Sequence, residues 1–357
     1  MNDELIFEIL NPHQDPRSAT EVRRLLRASG LGVETDIELF VVARDARRIV
    51  ACAGLADDVV KCVTIAPEYR GSSLALRLMH EVQLLAMKGG QSHLFLYTKP
   101  SNAYLFQGCG FHKLVEVLGH ACLMENTPVG VSDYCDSLQA FRQEGERIGS
   151  VVINANPFTL GHLYLVRQAL RNCDWLHVFV VAEDASTMRY ADRLDMVRAG
   201  LAGMARVTVH GGSRYLISRA TFPGYFLKDT CIVEACSTAM DLLMFRKHIA
   251  PALGITHRFI GTEPFCQLTR KYNEDMFGWL ESAAEDGAPI QVVEIPRLEV
   301  SGRAISASDV RQQLAQGDFA AMSSLVPATT LSHLRARYGV CFRPRADYGA
   351  PELLEVK

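Results

Sequence analysis

The sequence predicts an α/β protein of two parts, a mixed-sheet domain followed by a parallel-sheet domain. Three observations predict it. The chain has 357 residues, more than one ordinary domain holds. From Ile148 onward, short apolar strands alternate with amphipathic helices, the pattern of a parallel sheet covered on both faces. Between the two parts, Glu125-Asn126-Thr127-Pro128-Val129-Gly130 breaks the periodicity with proline and glycine. The expected division is residues 1–128, a linker 129–147, residues 148–340, and a C-terminal tail 341–357.

In the first part a helix is expected over Ser18–Ser29, with Val22, Leu25 and Leu26 on one face. Strands follow at Ile37–Val42 and Ile49–Ala53, joined by a turn at Asp45-Ala46-Arg47-Arg48, and a third runs through Val59–Ile65. A helix over Leu74–Met87, a strand at His93–Tyr97 and a short helix near Asn102–Phe106 complete the unit. Ser132–Glu146 reads as a polar linking helix. In the second part the expected strands are Ile148–Ile153, Trp175–Ala182, Arg206–His210, Arg258–Ile260 and Ile290–Ile295. Helices are expected at Leu160–Arg171, with Leu163, Val166 and Leu170 inward, and at Arg193–Leu201. Ligands of such sheets bind beyond the carboxyl ends of the strands.

Composition narrows the function. Hydrophobic residues make up 48% and charged residues 22%, with a net charge of −3, so nothing attracts the chain as a whole to nucleic acid or to an anionic membrane. No apolar run is long enough to span a bilayer, and Met1-Asn2-Asp3-Glu4 lacks the basic start of a secretion signal, so a cytoplasmic protein is expected. The ten cysteines are scattered without a CxxC pair, which argues against zinc and for reduced, buried thiols. No cluster of acidic residues reads as a metal cage, so no protein-held metal is expected.

The chemistry concentrates where strand Val151-Val152-Ile153 runs into Asn154-Ala155-Asn156-Pro157-Phe158-Thr159-Leu160-Gly161-His162. A helix start offers unpaired N–H groups and a positive dipole end, both suited to phosphate. Gly161 permits close approach to the backbone, and Thr159 and His162, three apart, can face one bound group. An imidazole there can stabilise charge developing on a phosphoryl centre. The plainer reading is a Thr159 cap and a packed histidine. A second helix start, Ile305-Ser306-Ala307-Ser308-Asp309-Val310-Arg311, places the Ser306 and Ser308 hydroxyls and Arg311 in one turn, a second anion cradle or else an N-cap beside a surface arginine. Two phosphate-suited helix starts in one α/β domain point to a triphosphate.

TxGH after an Asn-Pro-Phe turn, with ISxSxxR downstream, resembles the HxGH nucleotidyltransferase superfamily, with its Rossmann-like fold. The resemblance assigns Thr159 and His162 to the phosphates and the transition state, and Ser306, Ser308 and Arg311 to the triphosphate; Thr159 stands where many members carry His. Asn154–His162, Gly211–Ser218, Ala220–Lys228, Gly261-Thr262-Glu263-Pro264-Phe265 and Tyr272-Asn273, together with Ile305–Arg311, are similar to the citrate lyase ligase family. That resemblance implies a cytoplasmic enzyme that activates acetate with ATP and Mg2+, through acetyl-AMP with release of pyrophosphate. It then acetylates the thiol of a phosphoribosyl-dephospho-CoA arm on the acyl carrier subunit of citrate lyase. The implied ATP site comprises Asn156, Pro157, Phe158, Thr159, Gly161, His162, Lys228, Glu263, Ser306, Ser308 and Arg311, with Thr159, His162 and Arg311 catalytic. Lys228 reads as a phosphate or carboxylate partner or as a solvated lysine, and Glu263 as a ribose or adenine contact or as a turn residue.

In the first domain, Arg70-Gly71-Ser72-Ser73-Leu74-Ala75 before a helix resembles the CoA pyrophosphate loop of GNAT acetyltransferases, and Asn102-Ala103 with Gly110-Phe111 resembles that fold's later motif. Arg70, Gly71, Ser73 and Ala75 are thereby implied in binding a CoA-like arm. Ser73 replaces the usual glycine, and Phe106 stands where many members carry a general-acid tyrosine, with Tyr104 nearby. Acetyl transfer from acetyl-CoA is therefore not expected of this domain. Competing readings are an adenylyltransferase that makes a dinucleotide cofactor, fused to a GNAT domain, and a non-catalytic CoA-binding module.

Overall fold

In the computed structural model, residues 5–45, 48–71, 73–182, 187–216, 225–227, 230–264, 266–283, 287–300 and 302–339 are described. The chain forms two compact units, one of Met1–Cys135 with Thr221–Met244, the other of Asp136–Ala220 with Phe245–Lys357.

The first unit is a seven-stranded mixed sheet. Its strands are β1 (Ile6–Leu10), β2 (Leu39–Asp45), β3 (Arg48–Ala56), β4 (Val59–Ile65), β5 (Phe95–Thr98), β6 (His112–Val117) and β7 (Ala121–Glu125), in the order β1-β2-β3-β4-β5-β7-β6. Helices α1 (Pro16–Ala28), α2 (Leu74–Lys88) and α3 (Ala103–Gln107) accompany it, and α4 (Gly130–Gln139) leads out. Helix α1 starts two residues before the expected Ser18 because the Asp15 carboxylate accepts from the N–H groups of Arg17 and Ser18, with Pro16 in the first turn. Val22 and Leu26 of α1 enter one core and Leu74, Leu78, Met79 and Val82 of α2 another, so the central strand β3 is covered on both faces and buried along nearly its whole length. Strands β1, β6 and β7 were not expected.

Strands β4 and β5 are paired, in parallel, only at Val59↔Phe95 and Val60↔Leu96. Tyr225 enters where that pairing stops. Its hydroxyl donates to Tyr97 O of β5 at 3.2 Å and takes a backbone hydrogen bond from Cys62 of β4. Its own backbone is held by Gly32 N–H at 2.8 Å and by Glu34 Oε1 at 3.2 Å. Burial raises the phenol's pKa, so it stays protonated and able to donate. The segment around Tyr225 thus belongs to the first unit, although a contiguous second domain was expected; no local pattern in residues 221–244 announces a partner so distant in sequence. Tyr225→Phe removes the hydroxyl's hydrogen bonds to both strands, and is expected to cost roughly 1–2 kcal/mol, read as a lower urea midpoint. An unchanged midpoint would show that the phenol is idle.

The second unit is a five-stranded parallel sheet. Its elements in chain order are β8 (Ile148–Ile153), α5 (Leu160–Leu170), β9 (Trp175–Val180), α6 (Tyr190–Leu201) and β10 (Val207–His210). After α7 (Thr230–Met244) of the first unit come a π-helical turn at Phe245–Ile249, α8 (Ala250–Leu253), β11 (His257–Gly261), α9 (Gln267–Glu281) and β12 (Gln291–Ile295). A two-residue hairpin, β13 (Glu299–Val300) with β14 (Arg303–Ala304), precedes α10 (Ala307–Gln316), α11 (Phe319–Met322) and α12 (Ala328–Tyr338). The strand order β10-β9-β8-β11-β12 places the topological switch between β8 and β11. The core joins Leu163 and Val166 of α5, Met196 and Val197 of α6, and Val310 and Leu314 of α10. Asp192 of α6 receives Tyr338 Oη at 2.7 Å, His333 Nε2 at 3.2 Å and Arg337 Nε at 3.2 Å, which pins α12 to α6.

Within this sheet His177 of β9 and His210 of β10 meet ring to ring, Nδ1 to Nε2 at 2.9 Å, with His210 stacked on Phe179 at 4.7 Å. Burial, and for His177 also the facing His210, lowers the two pKa values to about 3 and about 4. The folded state therefore holds both rings neutral, while the unfolded chain takes up protons below about pH 6.5. Stability is full above that value and is lost as pH falls through the window toward the folded values. The pair alone is expected to contribute a slope of roughly 2 kcal/mol per unit between pH 6 and 5. Urea titrations at pH 7.5, 6.5 and 5.5 check this; coincident curves would refute it.

Candidate active site

The candidate site lies at the carboxyl end of β8, beside the switch point. Asn154, the first residue past β8, is gripped by Arg193 of α6, whose Nη1 donates to Asn154 O and Oδ1, both at 2.7 Å, and to Val181 O at 2.9 Å. The chain then passes Ala155 at φ +50°, a conformation uncommon for a residue with a side chain, and a cis Asn156–Pro157 bond. Asn156 Oδ1 accepts from Met188 N–H at 3.2 Å. Phe158 is fully buried under α6, where a Cβ on Gly200 would come 2.5 Å from its Cε1.

Thr159 caps α5, and its side chain accepts from His162 N–H at 3.3 Å. The reciprocal bond completes a capping box: Thr159 N–H donates to His162 Nδ1 at 3.0 Å. A backbone N–H can only donate, so Nδ1 is the bare nitrogen and the neutral ring carries its proton on Nε2. Burial, and secondarily the nearby Arg297 charge, lowers the His162 pKa to about 4, so at neutral pH the ring is an uncharged donor. The Thr159 cap, the plainer reading of the sequence, is present, and it fixes the His162 ring with its Nε2–H as the donor.

The second motif sits against the first. A Cβ at Gly161 would lie 3.4 Å from Thr159 Oγ1 and 3.6 Å from Ile305 O, ordinary contact distances, so the start of α5 lies against the turn into α10 without needing glycine there. Ser306 caps α10 and accepts from Ser308 N–H at 3.1 Å. Arg311 reaches back, with Nη1 to Asn156 O at 2.7 Å and Nη2 to Ser308 Oγ at 2.9 Å, and burial lowers its pKa. Asn156, Thr159, Gly161, His162, Ser306, Ser308 and Arg311 are thus one cluster. Glu263, just past β11, is paired with Arg297 and accepts from Cys266 N–H at 3.0 Å, so both its oxygens have protein partners. Lys228, Phe265 and Ser72 lie outside the described residues. Sequence reasoning missed Arg193 and Arg297, whose partners are 39 and 34 residues away along the chain.

In the first unit, Arg70 Nε donates to Ile65 O at 3.0 Å, and Gly71 has φ +76° with open space around it. Ser73 precedes α2, and Ala75 lies in its first turn. Tyr104 is 67% exposed, whereas Phe106 packs against the core.

The family described as citrate lyase ligase C-terminal domain matches residues 148–334. A [citrate [pro-3S]-lyase] ligase of Escherichia coli (strain K12) is 48% identical over 89% of this chain and 91% of its own. One of Klebsiella pneumoniae is 48% identical over 92% of this chain and 96% of its own. The chain belongs to the citrate lyase ligase family. The match covers both units, so family membership is a property of the whole two-unit chain and not of the parallel sheet alone. Among solved structures, Escherichia coli ElaA is similar over 34% of this chain and 99% of its own, at 16% identity and a TM-score of 0.32. FeeM, an N-acyl amino acid synthase from soil microbes, covers 34% and 90% at 13% identity and a TM-score of 0.28. Among the described residues, no helix is long and apolar enough to cross a membrane.

Proposed function

We propose that this chain is a ligase of citrate lyase that acetylates the lyase's acyl carrier subunit at the expense of ATP. The observation that carries the reading is the reciprocal Thr159–His162 cap, which leaves an Nε2–H donor at the carboxyl edge of a parallel sheet beside the Ser308–Arg311 cradle. In the first step an acetate oxygen attacks the α-phosphorus of ATP in line, the bond to the bridging oxygen breaks, and pyrophosphate leaves. His162 Nε2–H and the start of α5 stabilise the charge on the phosphoryl oxygens, and Ser306, Ser308 and Arg311 hold the departing phosphates. Mg2+ arrives with the nucleotide and neutralises part of its charge. In the second step the thiol of a phosphoribosyl-dephospho-CoA arm loses its proton and attacks the acetyl carbonyl, and AMP departs. Arg70, Gly71, Ser73 and Ala75 of the first unit are proposed to hold that arm, with the reaction taking place in the cytoplasm. Phe106 has no proton to give, and the Tyr104 side chain is largely in solvent.

The test is ATP–pyrophosphate exchange with and without acetate, followed by transfer of labelled acetyl to the carrier subunit. Exchange that needs acetate is expected, and Arg70→Ala should lose transfer while keeping exchange. Exchange indifferent to acetate would replace this reading with dinucleotide synthesis.

A further inference from the structure

Arg297 lies in none of the motifs that point to the nucleotide, yet it is built into the same edge of the sheet. It follows β12 by two residues, while its anchors Thr262 and Glu263 follow the neighbouring strand β11. Its Nε donates to Thr262 O at 2.7 Å, its backbone N–H donates to Thr262 Oγ1 at 3.1 Å, and Nη2 meets the Glu263 carboxylate. Glu263 is itself fixed, 7% exposed and bonded to Cys266 N–H. The guanidinium is therefore aimed by two contacts, with its backbone held by a third, and does not swing as a surface arginine does. One edge remains: Nη1 has no partner among the described residues, and the side chain is 29% exposed. Its charge is felt by His162, which disfavours a proton on that ring. A fixed cation and a neutral N–H donor, both at the carboxyl edge of one parallel sheet, form an arrangement suited to a polyanion.

We infer that Arg297 is a phosphate-binding residue of the nucleotide site, its Nη1 edge serving the same bound nucleotide as His162 Nε2–H, with Glu263 and Thr262 as its fixed backing. The inference rests on the ATP reading of the site. It assigns Glu263 to holding Arg297, and it predicts that the triphosphate meets two arginines, Arg311 from α10 and Arg297 from the β12 end.

The experiment uses the full chain and the variants Arg297→Ala, Arg297→Lys and Glu263→Gln. Equilibrium binding of a non-hydrolysable ATP analogue with Mg2+ is measured first, then exchange kinetics with ATP and acetate varied separately. Arg297→Ala is expected to lower kcat/KM for ATP by about 10²-fold, with KM for acetate nearly unchanged. Added guanidinium ion should restore part of the loss. Arg297→Lys should recover only part, since a lysine cannot keep the Thr262 and Glu263 contacts while offering a second edge. Glu263→Gln should fall between. Analogue binding and ATP kinetics unaltered in Arg297→Ala would overturn the inference, as would a loss confined to acetate. If Arg297→Ala does not fold, Arg297→Lys with wild-type ATP kinetics has the same force. Failure of the wild-type chain to bind the analogue would instead overturn the ATP reading, and this inference with it.

Discussion

Replacing His162 by alanine is expected to lower acetate-dependent ATP–pyrophosphate exchange by about 10²–10³-fold, the loss typical of a single donor aimed at developing charge. The effect should fall mainly on kcat, because a neutral N–H donor adds most when charge on the phosphoryl oxygens is greatest. The substitution also removes half of the capping box, at a cost of about 1 kcal/mol, too little to unfold the chain. His162→Asn offers a shorter donor and acceptor and should recover only part of the rate. The protonation state is separately testable. With a pKa lowered to about 4, the free enzyme's ring is expected to keep the Nε2–H tautomer, visible in its nitrogen resonances, down to about pH 5. Bound nucleotide phosphate should raise that value, since an anion favours the charged ring. A His162 that titrates near 6.5 in the free enzyme would sink this account of its role.

Arg193→Met is expected to destabilise the second unit by about 3 kcal/mol. The arginine is fully buried, and its removal takes away its hydrogen bonds to Asn154 O, Asn154 Oδ1 and Val181 O, at about 1 kcal/mol each. These three oxygens lie at the ends of β8 and β9, so the loss should also loosen the Asn154–Thr159 turn and reduce exchange beyond what stability alone accounts for. Arg337→Ala is the control. Arg337 is a mostly exposed arginine on the Asp192 carboxylate, and its loss should cost less than about 1 kcal/mol. Equal urea midpoints for Arg193→Met and the wild type would show that the buried contacts do not matter.

What could be read in advance was what the chain encodes locally. Ile148–Ile153 and Val59–Ile65 are strands over the expected residues because each is a bounded run of β-forming side chains. The start of α5 follows from Thr159, and that of α10 from Ser306, residues that cap by their own side chains. What was illegible depends on distant partners. Strand β1 leaves Ile6 and Ile9 largely exposed at the sheet edge, so its apolar residues do not alternate as a half-buried strand's should. Arg193 looks like any helix-surface arginine until Asn154 is seen in its grip. Nothing in the sequence around Glu263 announces its pairing with Arg297. Helix α7 hid behind Thr230-Cys231-Ile232-Val233, whose β-branched residues favour a strand locally.

The assignment of Thr221–Met244 to the first unit constrains how such a gene can be cut or recombined. Two domains in simple succession can be separated at one junction, expressed apart, or exchanged between genes. Here a single cut near residue 135 yields an N-terminal piece without Tyr225 to bridge β4 and β5, and a C-terminal piece carrying an apolar helix that has lost its sheet. The N-terminal fragment lacks part of its own unit, and the C-terminal fragment carries, inside an otherwise whole unit, a segment that belongs to the other. With this interleaving the first unit cannot be shed or exchanged by one junction, and the two units are inherited together.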